Sequence, residues 1–167
     1  MIPTIDSKEK KTMIYEDLAA VGRLTIQVIA PDGTVKDERQ IKNLVVDTGK
    51  TFIAASMLKT TSNSPAAMTH MAIGTNATAA AAGDTALGAE VGTRVVFSPA
   101  ASNASNVVTY VGTFLPNNPA TSQGLQEAGI FNASSGGTML CRTTFAVVNK
   151  DPADTLAITW TITINAP

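Results

Sequence analysis

Apolar and polar residues alternate along most of this chain, and the period changes in one place. Leu24, Ile26 and Val28 interleave with Arg23, Thr25 and Gln27. A period of two turns one side of a strand towards a core. Pro31-Asp32-Gly33 then reads as a turn, because proline presets φ and glycine accepts a positive φ. The return run from Thr34 to Ile41 carries Lys36, Asp37, Glu38 and Arg39. Such charges are expected on a solvent-facing edge strand guarded against foreign pairing. The exception follows. From Gly49 to Lys59, Ile53 and Met57 are four apart, as are Ala54 and Leu58, so with Phe52 they share one face of a helix. Asp47 or Thr48 is placed to cap it. A helix of about eleven residues is marginal alone and needs a sheet to lie on.

Beyond the helix the period of two returns. Met68–Gly74 reads as a short strand. Thr75–Gly88, TNATAAAAGDTALG, reads as a loop whose small side chains let backbones pack closely. Strands are expected at Thr93–Ser98, Asn106–Leu115, Leu125–Asn132 and Thr138–Val147, the last two as a hairpin around Ala133–Gly137. In Asn106–Leu115 both faces are apolar, with Val108, Tyr110 and Phe114 on one and Val107, Val111 and Leu115 on the other. The second face is a candidate contact with another subunit. The final strand alternates most sharply: Leu156, Ile158, Trp160, Ile162 and Ile164 face one way, and threonines and Ala157 the other. The expected fold is all-β, an antiparallel jelly-roll-like β-sandwich of about eight strands with one short α-helix. Residues 1–21 form an N-terminal arm and residues 22–167 the single sandwich domain. The expected core includes Leu24, Ile26, Val28, Ile53, Met57, Ile158, Trp160 and Ile162. The arm's apolar residues Ile2, Ile5, Ile14 and Tyr15 are candidate interface positions, laid on a neighbouring subunit or folded back on the chain's own domain.

Charge sharpens this picture. The 167 residues include 12 basic and 13 acidic ones, a balance that points to neither nucleic acid nor an anionic membrane. Residues 1–50 hold eight of the basic and eight of the acidic groups, leaving four and five for the other 117 residues. A free domain carries about 25% charged residues, and this long part has roughly a third of that. Interface centres are depleted in charge, so part of this surface is expected to meet other subunits. One cysteine, Cys141, excludes an internal disulfide framework. No apolar run approaches the roughly 18 residues of a membrane-spanning helix. The opening MIPTIDSKEKK lacks a signal-peptide core, so synthesis in the cytoplasm is expected.

Candidate chemistry is sparse. Gly49-Lys50-Thr51 matches the tail of a phosphate-binding P-loop, but the first glycine of that pattern would fall at Leu44. His70 is the single histidine and has no second imidazole or Cys-x-x-Cys to share a metal with. No Gly-x-Ser-x-Gly elbow accompanies it. Asp84, Glu90 and Glu127 are scattered, though folding can bring two carboxylates together. Cys141 and Arg142 are neighbours on a strand and point to opposite faces, so thiol activation is not implied. With one Trp and two Tyr there is little material for a stacking platform. No cofactor, metal or catalytic residue is assigned, and no enzyme activity is expected.

Two segments carry a resemblance. NLVVDTGKTFIAASML…MTHMAIGTNATAAAAGDTALGAEVGTR resembles a segment of small virion structural proteins of tailed bacteriophages, and GLQEAGIFNASSGGTMLCRTTFAVVNKDPADTLAITWTITI resembles their closing hairpin and final strand. Together they cover roughly residues 43–165. Such modules serve as capsid decoration proteins, head fibres and tail or baseplate parts. The resemblance implies a capsid decoration, or cement, protein that binds across major-capsid subunits on the outer head surface and stabilises the head. The alternatives are a tail-fibre or baseplate module, or a glycan-binding module for host adsorption. The implied partners are the major capsid protein and further copies of the chain, a homotrimer being favoured because capsids offer local three-fold positions. No nucleic acid, membrane or small-molecule substrate is implied.

Overall fold

A computed structural model of the chain describes residues 19–58 and 64–165. The arm residues Ile2, Ile5, Ile14 and Tyr15 lie outside the described residues. Among the described residues nine strands and one helix follow in the order β1 (Ala19–Ile29), β2 (Val35–Val45), α1 (Asp47–Leu58), β3 (His70–Gly74), β4 (Glu90–Val96), β5 (Ser102–Ala104), β6 (Val107–Phe114), β7 (Gln123–Phe131), β8 (Met139–Lys150) and β9 (Thr155–Asn165). The strands join in the order β4-β3-β7-β8-β2-β1-β9-β6-β5, and every pairing is antiparallel. The fold is therefore all-β, as the alternation indicates. The three-residue strand β5 was not visible in the pattern.

The sheet curls so that its two halves face each other. In one half, β1, β9 and β6 stack their inward residues in register: Leu24 opposite Trp160 and Tyr110, Ile26 opposite Ile158, and Val28 opposite Leu156 and Phe114. In the other half, Met71, Ile73, Leu125, Ala128, Ile130 and Val148 meet them in one core. Leu24, Ile26, Val28, Ile158, Trp160 and Ile162 are all buried. Gly112 of β6 marks a close approach to Met71 of β3. A Cβ there would sit 2.7 Å from the Met71 sulfur. Next to it, the Ser98 amide donates to the Val111 carbonyl at 2.9 Å, tying the chain after β4 to β6.

Strand β2 is one-sided over the charged run that was expected to be an edge, and becomes an interior strand only beyond it. It pairs along Val35–Asn43 with β1, and then Leu44 and Val45 pair with β8. It thus joins the two halves. Its charges lie on the part that has a ladder on one side only, where exposed backbone groups would otherwise invite a stranger strand. The turn before it is the expected one, with Gly33 at φ +86°.

Helix α1 starts at Asp47, so Asp47 and Thr48 lie inside its first turn and neither is the cap. The Lys50 amide instead donates to the Val46 carbonyl at 3.0 Å, and the Thr48 hydroxyl donates to the Met139 carbonyl at 2.8 Å. Phe52 and Ile53 are half-buried against the core. Met57, expected in the core, is 77% exposed. The helix meets β8 at its first turns, around Gly49. Met57 and Leu58 are therefore largely exposed, Met57 standing at the rim of an apolar groove rather than packed in the core.

Candidate interaction surface

The two outer faces of the curled sheet are treated differently, and this asymmetry defines the candidate site. Over β3, β7 and β8 the small-residue loop from Thr75 to Ala89 forms a roof. Leu87 from the loop packs with Val46, Ala72, Phe131 and Met139 in a second apolar cluster. Beneath the roof Glu127 is fully buried. Its carboxylate accepts hydrogen bonds from the amides of Asn76, Gly88 and Ala89 at 3.3, 3.0 and 2.7 Å. The Arg142 guanidinium completes the set, 2.8 Å away. Arg142 also donates to Asp84 at 2.7 Å and to the Thr78 carbonyl at 3.1 Å. Five loop residues and two strands are thus fastened through one ion cluster.

Folding does bring two carboxylates together, Asp84 and Glu127, but on one guanidinium. A buried charge is tolerable only when it is paired and hydrogen-bonded, and each of these groups is spent on the others. A backbone hydrogen bond from Ala81, together with Arg142, holds the Asp84 carboxyl below the usual carboxylate range. Glu90 goes elsewhere. It pairs with Arg94 at 2.8 Å, and the Arg94 guanidinium lies 3.6 Å from the centre of the Phe131 ring. The chemistry of this cluster is structural. The role of Arg142 was not read from the sequence, although a lone arginine inside the apolar run Thr138–Val147 was the signal for it.

No described helix or strand packs across the opposite outer face, formed by β1, β9 and β6. The register sets its side chains in rows: Val21, Thr163 and Val107; Arg23, Thr161 and Thr109; Thr25, Thr159 and Val111; Gln27, Ala157 and Thr113. Arg23 is the one charged side chain in these rows. Charges resume on the flanking strand β2, at Lys36, Glu38 and Lys42. Val107 and Val111 stand here half-buried, and Leu115 lies just past the end of β6, 62% exposed. Short β-branched and small side chains make a flat surface that loses little rotamer freedom and few strongly hydrated groups on contact.

The remaining candidates are placed as follows. Gly49 lies against the β8 backbone, where a Cβ would be 1.9 Å from the Leu140 carbonyl oxygen. This close approach, not a phosphate, accounts for the glycine. Lys50 turns its ammonium to Asp47 at 2.9 Å. The His70 ring nitrogen Nδ1 is 2.7 Å from the Thr69 hydroxyl. Cys141 is buried in the core, and burial pushes its thiol pKa up. Among the described residues no group of acidic, histidine and cysteine side chains is arranged to hold a metal ion, and no helix is long and apolar enough to cross a membrane.

Alongside α1 runs an apolar groove. Its first part, about 460 Å³, is lined by Ala20, Asn43, Ile53, Met57 and Ile164 among others. Its second, about 300 Å³, continues past Phe52 to Val108, Tyr110 and Ile162, sharing Ile53, Met57 and Ile164 with the first.

Compared with known protein families, curated proteins and solved structures, the chain matches none.

Proposed function

We propose that the chain is a non-enzymatic structural protein of a tailed-phage virion, a capsid decoration protein that adheres across major-capsid subunits on the outer head surface. The observation that carries this reading is the contrast between the two outer sheet faces. One is roofed by the chain's own loop and locked by buried ions. The other is broad, nearly uncharged and set with Thr, Val and Ala. A surface of this composition suits burial against protein. It offers neither the aromatic cleft that glycan binding favours nor a row of basic groups for nucleic acid. The resemblance of residues 43–165 to small virion proteins supplies the phage setting. The homotrimer belongs to the same proposal, with the β1-β9-β6 face against other copies or against the shell and charged β2 outside.

The test is loading onto phage particles stripped of this protein. The wild-type chain binds saturably and raises the temperature at which heads release DNA. Thr159→Lys combined with Val111→Lys places two cations on the face. It leaves the melting curve of the free protein nearly unchanged and abolishes loading. Equal loading by wild type and variant overturns the assignment of the face. No loading by either overturns the decoration role.

A further inference from the structure

The rim where the uncovered face meets β2 holds charges that the fold does not need. Arg23 of β1 and Lys42 of β2 are paired directly across the ladder, and both are exposed. Like charges set opposite each other in an antiparallel pair destabilise the sheet. Elsewhere the chain matches its cations closely. Lys36, Arg39, Lys50, Arg94 and Arg142 each stand in an ion pair, and the Lys150 ammonium donates to the Asp151 carbonyl. Arg23 and Lys42 have no ion-pair partner among the described residues. Glu38, on the same side of β2 as Lys42, accepts instead from the Gln27 amide at 2.7 Å.

Beside the two cations lies a dimple of about 360 Å³, walled by Arg23, Thr25, Gln40, Lys42, Thr159 and Thr161 among others. The register makes it. Arg23 stands between Lys42 and Thr161, and Thr25 stands between Gln40 and Thr159. Short threonines among long Arg, Lys and Gln side chains leave a hollow with polar walls. The Thr161 hydroxyl is turned to the Arg23 carbonyl at 3.4 Å. The Arg23 guanidinium, the Lys42 ammonium and the Gln40 amide remain as donors around one opening. A planar guanidinium fork with a point charge beside it suits the two oxygens of a carboxylate. Two cations on an otherwise uncharged face are too few for a phosphate backbone, which takes a row of them. The rows of β1, β9 and β6 on this face contain no Asp or Glu, so a second copy meeting it through the same rows supplies no carboxylate.

We infer that this dimple receives an acidic side chain, Asp or Glu, of a different protein bound on the β1-β9-β6 face, with Arg23 and Lys42 donating to its carboxylate. The inference rests on the adhesive reading of that face and adds what the partner carries there. The dimple sits at the rim, so Lys36 and Glu38, further along β2, stay in solvent. A charge pair at a rim steers encounter and fixes orientation more than it adds buried area. The repulsion between Arg23 and Lys42 is then a cost in the free protein that the partner relieves.

The test compares the wild-type chain with the double variant Arg23→Gln, Lys42→Gln. The variant is expected to melt no lower than wild type, because it removes a repulsion. A clearly lower melting temperature would show that the pair serves the fold and would overturn the inference. In ¹⁵N NMR titrations a hexaglutamate peptide should shift the Thr25, Gln40, Lys42 and Thr161 signals of wild type saturably, and leave those of the variant in place. No shift, or equal shifts in both proteins, overturns the dimple as an acceptor. Equal shifts with inorganic phosphate show a free-anion site and overturn the protein carboxylate. On stripped phage particles the variant should load about tenfold more weakly at low salt, with a shallower dependence on salt. Equal loading overturns the inference and leaves the decoration role standing. No loading by either protein overturns the decoration role, and with it the partner on this face, whatever the peptide titration shows of the dimple.

Discussion

Glu127 and Arg142 sit on adjacent strands and form an ion pair of 2.8 Å with both side chains almost wholly out of water. Removing one partner strands the other. Arg142→Met is therefore expected to destabilise the protein by about 3–5 kcal/mol. It should also free the Thr75–Ala89 roof for proteolysis. Adding Glu127→Gln to it should recover part of the loss. Denaturant titration and limited proteolysis measure both. Unchanged stability in Arg142→Met would show that the cluster does not fasten the roof.

Acid should loosen the same roof. The folded pKa of Asp84 is depressed, first by the Ala81 backbone and then by Arg142. A depressed carboxylate contributes stability that is complete above its unfolded value, near pH 4, and is lost as pH falls through the lower folded value. The melting temperature is expected to drop below about pH 4, and Asp84→Asn should flatten that drop while lowering stability at neutral pH. Parallel acid profiles for the two proteins would contradict this.

The Gly49-Lys50-Thr51 run gives a sharp contrast between neighbours. Gly49→Ala drives a methyl into the Leu140 carbonyl and should cost about 1–3 kcal/mol as overpacking. Lys50→Ala removes a surface pair with Asp47 of 59% and 62% exposed side chains, worth about 0–1 kcal/mol. Thermal melts separate the two. ATP binding that depends on Lys50, seen by calorimetry, would overturn the packing account of this run.

Trp160 is fully buried, and its indole Nε1 finds no hydrogen-bond partner among the described residues. Trp160→Ala is expected to cost about 3–5 kcal/mol. Trp160→Phe should cost clearly less, since no hydrogen bond is lost with the ring nitrogen. Equal losses would mean that the indole N–H contributes after all.

Elements that obey a local rule were legible in the sequence. The alternation in Thr155–Asn165 placed Trp160, and Pro31-Asp32-Gly33 placed the first turn. Long-range relations were not. The charges of β2 marked its one-sided part, but nothing local says that Leu44 and Val45 beyond them pair with β8. Helical spacing put Met57 on the apolar face without saying that a groove there leaves it 77% exposed. The Arg142 cluster depends on a loop 58 residues away from it at Asp84, and the spacing of carboxylates along the chain carries no trace of that. The uncovered face was half visible. Val107 and Val111 were singled out, but the matching rows of Thr159, Thr161 and Thr163 emerged only once β9 was seen beside β6.

The central claim is that the β1-β9-β6 face is adhesive and works on a phage head. A cryo-electron microscopy reconstruction of the intact virion tests it most directly. The account predicts density for this fold on the outer capsid surface, with Val21, Val111 and Thr159 against capsid subunits or further copies of the chain and the charged side of β2 in solvent. A reconstruction with that face open to solvent, or with the protein absent from the head, would contradict it.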